Sequence, residues 1–325
     1  MIKYRTFVLK YTIAIVFAAV FLYVAYNQLT RQPDLDRGIL QISAAFYDPL
    51  FYLVIALTFI NWSIETYKWK LLTDSLEQHS FLYLFCSVMS GCSVSMVLPN
   101  RSGEFAGRIL WMKPENRVAA ASASFAGSIA QWMITVVMGI IGLITLRSEL
   151  IHRLSAWSPV VGYYSLLLIA GIALMIALAV YWNVGWVERQ LKSVAFFQKR
   201  QQVGLFLRSC SSKKMLIVLA WSIIRYAVFI LQYVICLTMF GVEGPFFLVM
   251  GLVAVFFLLM SVSPAIGLID LPVRAGVGAF ILGSVSTNQL GIQATLLLIW
   301  LLNLALPSIV GMMANTRLIT KSRKL

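Results

Sequence analysis

The chain alternates long apolar runs with short polar ones. A helix that crosses a bilayer needs about 20 predominantly apolar residues. Runs of that kind at 8–27, 46–67, 118–146, 160–183, 215–240 and 290–313 are predicted as full spans. Three others, 81–98, 245–262 and 273–287, are too short or too interrupted to cross in the ordinary way. The pattern predicts an all-α polytopic membrane protein, with about six full spanning helices plus two broken or re-entrant helical hairpins. No polar stretch is long enough to bury a core of its own, so residues 1–325 are read as a single integral membrane domain.

The interruptions carry charge. The first runs Leu98-Pro99-Asn100-Arg101-Ser102-Gly103-Glu104-Phe105-Ala106-Gly107-Arg108, and the second runs from Ser263-Pro264 through Gly267 to Asp270-Leu271-Pro272-Val273-Arg274. Charges at membrane depth are costly and usually line a cavity or a pathway. Irregular backbone at that depth survives only where protein or water satisfies it. Pro99, Gly103, Pro264, Gly267 and Pro272 are therefore read as structural breaks. The order Pro99, Gly103, Glu104, Arg108 loosely matches Pro264, Gly267, Asp270, Arg274. An inverted repeat with a site at its interface is one reading of that match. Chance placement of a few Pro, Gly and charged residues is the other.

Charge fixes an expected orientation. The chain is 60% hydrophobic, 12% charged and carries a formal net charge of +14, with a mean hydropathy of +0.86. With the N-terminus inside, the cytoplasmic segments hold Lys3, Arg5, Lys10, Lys68, Lys70 and the basic stretches 101–117, 186–214 and 317–324. The outer loops hold only Arg31, Arg37, Arg147 and Arg153. This is the positive-inside bias, and it places both termini in the cytoplasm of a bacterial inner membrane. The positive charge thus reflects topology and anionic lipid, and no nucleic acid is implied. A full crossing at 81–98 would put the basic stretch 101–117 outside, and a re-entrant or broken hairpin removes that conflict. The apolar stretch 12–26 lacks a cleavage pattern and is read as an uncleaved first helix. Trp62, Trp69, Trp111, Trp157, Trp182 and Trp186 fall near predicted span ends, as an aromatic belt would.

Candidate chemistry centres on cations. A helix restarting near Ser102–Glu104 offers free N–H groups to an anion, and Arg101 and Arg108 can hold a phosphate by a bidentate fork. Glu104 would neutralise one of them when the site is empty. An ordinary cytoplasmic loop is the plain alternative. Asp270 and Arg274 are spaced for an intrahelical pair, with Pro272 between them arguing for a kinked, partly unwound stretch. Arg225 sits about ten residues into its span, near the bilayer centre by a rise of about 1.5 Å per residue. Phe229 and Gln232 share its face, and Glu104 and Asp270 are its expected partners. Asn61, Glu65 and Lys68 on the second span suit either a headgroup site or interface anchoring. Cys86, Cys92, Cys210 and Cys236 have no metal-ligand spacing, and His79 and His152 stand apart from them. No metal, cofactor or catalytic residue is expected, and no hydrolase, transferase or nucleotide motif is found. Gly139, Gly142 and Gly162 are read as helix-packing positions.

The run Leu98–Arg108 resembles the Pro-x-Arg-x-Gly-Glu-x-x-x-Arg motif of the flippase-like transmembrane domain of lysylphosphatidylglycerol synthases. Pro264–Arg274 is similar to that family's second, Pro/Gly-rich motif, and Asn61-Trp62, Glu65 and Lys68-Trp69 also resemble it. Here the second motif keeps only part of the glycine pattern, and its acidic residue precedes the arginine. The resemblance covers about residues 5–320 and implies a helical bundle that moves or holds a phospholipid headgroup. It does not include the soluble aminoacyl-transferase domain of full-length synthases, so lysyl transfer is not expected of these residues. The expected function is a flippase-like lipid translocase for an anionic or otherwise phosphate-bearing lipid. Its substrate-binding residues would be Arg101, Glu104, Arg108, Arg225, Gln232, Asp270, Arg274 and Glu65. The alternative is a membrane assembly or regulatory subunit without transport of its own.

Overall fold

The computed structural model describes residues 40, 42–96, 102–151, 159–183, 211–263 and 270–322. The predicted first helix 8–27, the breaks Pro99, Pro264 and Gly267, and the candidate ligand Arg101 lie outside the described residues, as do His152 and Cys210. Among the described residues there are eleven α-helices and no strand. In chain order they are α1 (Pro49–Thr73), α2 (Phe81–Ser95), α3 (Ser102–Ile109), α4 (Arg117–Thr145), α5 (Arg147–Leu150) and α6 (Pro159–Trp182). They continue as α7 (Ser212–Met239), α8 (Phe246–Val262), α9 (Asp270–Leu282), α10 (Gln289–Trp300) and α11 (Leu306–Ser322). Five stretches are long and apolar enough to cross a membrane: α1, α4, residues 160–182 of α6, α7, and the continuous rod Gln289–Thr316. The fold is the all-α polytopic membrane architecture that the apolar pattern predicts.

Local chemistry sets the helix ends. Asp48 accepts from the N–H of Leu50 (2.8 Å) ahead of Pro49, which has no N–H to leave unpaired. Ser80, Ser211 and Asn288 cap α2, α7 and α10 in the same manner. α7 closes on Gly241, whose φ of 70° suits glycine. There Val242 N–H donates to Leu237 C=O (2.8 Å) and Gly241 N–H to Thr238 C=O (3.0 Å), a double-bonded terminal turn.

The two interrupted regions fold as pairs of short helices. α2 has 15 residues and α3 has 8, about 22 and 12 Å at 1.5 Å per residue, against about 30 Å of hydrocarbon. Neither arm crosses alone. They lie antiparallel, because Ser87 Oγ donates to Arg108 C=O (3.1 Å) and Ser90 Oγ to Gly107 C=O (2.9 Å). A Cβ on Gly107 would overlap the Ser90 carbonyl, and one on Gly103 would overlap the Val94–Ser95 backbone. Gly103, expected as a break, lies inside α3 and serves this close approach instead. Lipid offers no hydrophobic drive between helices, so small residues that bring backbones together supply the packing. Gly311 of α11 meets the Met89 carbonyl of α2 in the same way. Gly139 and Gly142 of α4 face Leu258 and Gly251 of α8, the packing role expected of them.

The second pair is α8 and α9, with 17 and 13 residues. Pro272 does not kink it. It lies in the first turn of α9, where a missing N–H costs no helical bond, so Asp270 and Arg274 keep regular i,i+4 geometry. The last span does deviate: residues Leu301–Ala305 form a π-helical turn between α10 and α11. Pro307 follows it, and its ring would crowd the Asn303 carbonyl four residues back while offering that carbonyl no donor. A widened turn absorbs the conflict.

Three of the expected belt residues are inside the protein: Trp62, Trp69 and Trp111 are buried. For Trp69 the reason is that α1 continues to Thr73 rather than ending at 67, which draws it and Lys68 into the bundle. Trp182 is exposed, as a belt position would be.

The loop after α1 is fastened by Glu77. Its carboxylate accepts from Lys113 N–H (2.9 Å) and Asn116 Nδ2 (2.9 Å), and pairs with His79 Nε2 (2.8 Å). Burial would push this carboxyl up, but the hydrogen bonds from Asn116, His79 and Lys113 outweigh it and hold it below 4.5. A carboxyl depressed in the folded state stabilises the fold above its unfolded value and loses that stabilisation as pH falls through the folded value. Thermal stability in detergent is therefore expected to drop on acidification below about pH 4.5, and Glu77→Gln should flatten that part of the profile. A packing test accompanies it. Gly107→Val should lower unfolding stability by about 1–3 kcal/mol or more, the usual cost of overpacking. Gly171→Ala, with open space around it, should change stability by no more than about 1 kcal/mol.

Candidate functional site

A cavity of about 810 Å³ opens among α1, α2, α3, α4, α7, α8, α9, the end of α10 and the π turn that follows it. Its charged lining is Glu65, Glu104, Arg108, Arg225 and Arg274. Most of the rest is apolar or aromatic, including Trp62, Phe105, Trp132, Phe229 and Phe257. Two buried apolar clusters meet there: Trp132 packs against both and lines the cavity.

Glu65 is the centre of the charged wall. One oxygen accepts from Arg108 Nη2 at 2.8 Å, and the other lies 3.1 Å from Arg225 Nη1 and 3.3 Å from Lys68 Nζ. Three helices thus place three cations on one carboxylate whose side chain is 8% exposed. Glu65 and Lys68 are three residues apart and share a helix face. Arg225 lies near the middle of α7. Glu104 stands 3.8 Å from Arg108 and is the more open carboxylate, at 25% exposure. Isolated burial of any of these ions would be prohibitive, and mutual pairing with hydrogen bonds is what makes it tolerable.

The arginines are also backed by rings. Arg225 lies over Trp62 (5.5 Å) and Phe229 (5.2 Å), Arg108 over Trp69 (5.6 Å), and Arg274 over Phe256 (5.9 Å). Cation–π attraction grows as water is removed. Arg274 donates from Nη1 to Tyr233 Oη (2.9 Å) and from Nη2 to Asp270 Oδ2 (3.0 Å). Each arginine is held from behind while its residue borders the cavity, the arrangement needed to present a fixed fork to an anion.

A chain of amides extends from this wall. Arg225 Nε donates to Asn61 Oδ1 (2.8 Å), and Asn61 Nδ2 donates to Asn303 Oδ1 (2.9 Å). Asn303 Nδ2 donates to Gln232 Oε1 (2.9 Å), and Gln232 Nε2 donates to Thr58 Oγ1 (2.7 Å) and Val54 C=O (3.1 Å). Every link joins α1, α7 or the π turn.

Several expectations change here. Arg225 pairs with Glu65, rather than with Glu104 or Asp270, because α1 presents Glu65 directly across from it. Gln232 is fully buried among amides and does not border the cavity, so its place is in the bracket behind the site. Asp270 is likewise behind the cavity wall, as the anchor of Arg274. Lys68 is no interface anchor, since its side chain is 1% exposed and bonded to Glu65 and Gln131. Glu104, Arg108, Arg225, Arg274 and Glu65 are brought together around one space. Sequence reasoning passed over Asn303, Gln131 and Tyr233. Pro307 inside an apolar run was the one signal that pointed at Asn303.

No curated protein matches this chain. A family model described as the lysylphosphatidylglycerol synthase TM region matches residues 11–311. That match covers both charged hairpins and every residue of the cavity wall. The apolar helices and this match together identify a multi-pass membrane protein, and the chain belongs to the lysylphosphatidylglycerol synthase transmembrane-region family.

Proposed function

We propose that this protein binds the phosphate-bearing headgroup of a membrane phospholipid in the cavity and carries it across the bilayer. The observation that carries this reading is the convergence of Arg108, Arg225 and Arg274 on one cavity in helices of membrane-spanning character. Intramembrane cations of this kind mark substrate paths, and arginine forks match phosphate oxygens. The largely apolar remainder of the lining suits acyl chains. A family tied by its name to a phospholipid adds support. The site belongs in a bacterial inner membrane with both termini in the cytoplasm, following the distribution of Lys and Arg.

Movement would draw on the two short hairpins. α3 bears Arg108 and Glu104, and α9 bears Arg274, so tilting either hairpin moves a cation relative to Arg225 on the long α7. Glu65 fills the fork of Arg225 in the empty site and yields it to phosphate. The exchange keeps a buried cation paired throughout, which keeps the barrier low.

Arg225→Ala leaves Glu65 paired with Arg108 and Lys68, so folding should survive. Native mass spectrometry of the purified variant should show loss of the phospholipid class that wild type retains. Reconstituted into vesicles, it should translocate a labelled phospholipid at least about tenfold more slowly, the effect of a lost charged contact worth 1.4 kcal/mol or more. Arg225→Lys keeps the charge without the fork and should fall between the two. Wild-type rates for both variants would remove Arg225 from the site.

A further inference from the structure

We infer that the π turn Leu301–Ala305 is the pivot of the transport movement, about which α11 swings as one body with the hairpin of α2 and α3. The inference rests on the headgroup reading above and adds to it the place where the chain bends. The two halves of the last span are fastened to different hairpins. α11 is bound to the first, with Ser308 Oγ donating to Cys92 C=O (3.1 Å) and Asn315 Nδ2 to Ser93 Oγ (3.1 Å). Gly311 lies so close to α2 that a Cβ on it would overlap the Met89 carbonyl. Trp111, just past α3, donates from Nε1 to Asn315 Oδ1 (3.2 Å) and completes that block. α10 is bound to the second hairpin. Gln293 Nε2 donates to Ala275 C=O of α9 (3.1 Å), and a Cβ on Gly278 of α9 would overlap Leu296. Asn288, the cap of α10, also donates to the Phe240 and Gly241 carbonyls at the end of α7 (3.0 and 3.1 Å), so α10 stands with that long span.

Between the two halves the helical ladder is interrupted. Leu306 N–H reaches five residues back to Leu301 C=O, and Pro307 has no N–H to give the Asn303 carbonyl. Helices bend at π turns and prolines, where the regular bonds that would resist bending are already missing. None of the five residues of the turn is buried, so close packing does not lock it. The turn is held through Asn303, which bonds to Asn61 of α1 (2.9 Å) and Gln232 of α7 (2.9 Å). Asn303 is thereby a positioning residue, because the same Asn61 accepts from Arg225 Nε (2.8 Å). A swing about this point carries Glu104 and Arg108 on α3 past Arg225, which stays with α1 and α7. The 2.8 Å pair of Arg108 with Glu65 is the contact that such a swing makes and breaks. Hinges of this kind are a few residues at element ends that absorb the change while the packed bodies on either side stay rigid.

The test is distance measurement by electron paramagnetic resonance between paired spin labels, with the native cysteines replaced by alanine. Exposed positions take the labels: Leu82→Cys on α2, Phe280→Cys on α9 and Met312→Cys on α11. Each pair is read in detergent without lipid and again after addition of phosphatidylglycerol. The distance from α9 to α11 should shift by several ångströms between the two conditions, while that from α2 to α11 stays fixed. Pro307→Ala gives the Asn303 carbonyl a donor, stiffens the rod and should reduce the shift. In vesicles of phosphatidylglycerol and phosphatidylethanolamine it should slow translocation at least about threefold, with lipid retention in native mass spectrometry unchanged. A fixed distance from α9 to α11, or an equal shift from α2 to α11, would overturn the pivot while leaving the headgroup site standing. Pro307→Ala with the full shift and the wild-type rate would overturn it as well. If Pro307→Ala does not fold, the two label pairs decide alone. Wild type that neither retains nor translocates phospholipid would overturn the headgroup reading itself.

Discussion

One buried carboxylate organises the centre of this protein. Glu65 takes Lys68 from its own helix, Arg108 from the short hairpin and Arg225 from the middle of a long span. Losing it would strand three cations in an apolar bundle, and breaking even one buried pair costs about 3–5 kcal/mol. The cluster therefore fixes how α1, α3 and α7 stand to one another. It also gives Arg225, which lines the cavity, its acidic partner.

Other features can be understood as support for that arrangement. The amide chain through Asn61, Asn303 and Gln232 holds the Arg225 guanidinium from its Nε side and ties α1 and α7 to the last span. The π turn places Asn303 there, and Pro307 supplies the reason for the turn. The hairpin of α2 and α3 brings Arg108 to Glu65 only because Gly103 and Gly107 let two backbones touch. Packing with small residues thus positions the charge, and the charge gives the cavity its chemistry.

The two hairpins differ in how they hold their arginine. Arg274 makes its close ion pair with Asp270 of its own helix at 3.0 Å, whereas the close pair of Arg108 is with Glu65 of α1 at 2.8 Å and Glu104 of its own helix stands 3.8 Å away. A hairpin with an internal pair can move without leaving a stranded ion. One whose arginine is shared with α1 is coupled to whatever happens at Glu65.

The apolar pattern alone predicted the helical membrane fold, the two interrupted regions and, among the described spans, every one but α1 to within three residues at each end. Length and apolarity dictate a spanning helix, and Pro, Gly and charge in an apolar run cannot be hidden. Arg225, Arg108 and Arg274 stood out for the same reason, since a cation in such a run has few explanations. The sequence did not reveal the partner of Arg225, the burial of Lys68 and Trp69, or the structural place of Gln232 and Pro272. Those depend on where α1 ends and which faces meet, and helical periodicity leaves both open to within a turn. Packing settled them, because contacts between residues 43 to 242 positions apart arise from the meeting of backbones and leave no local mark in the chain.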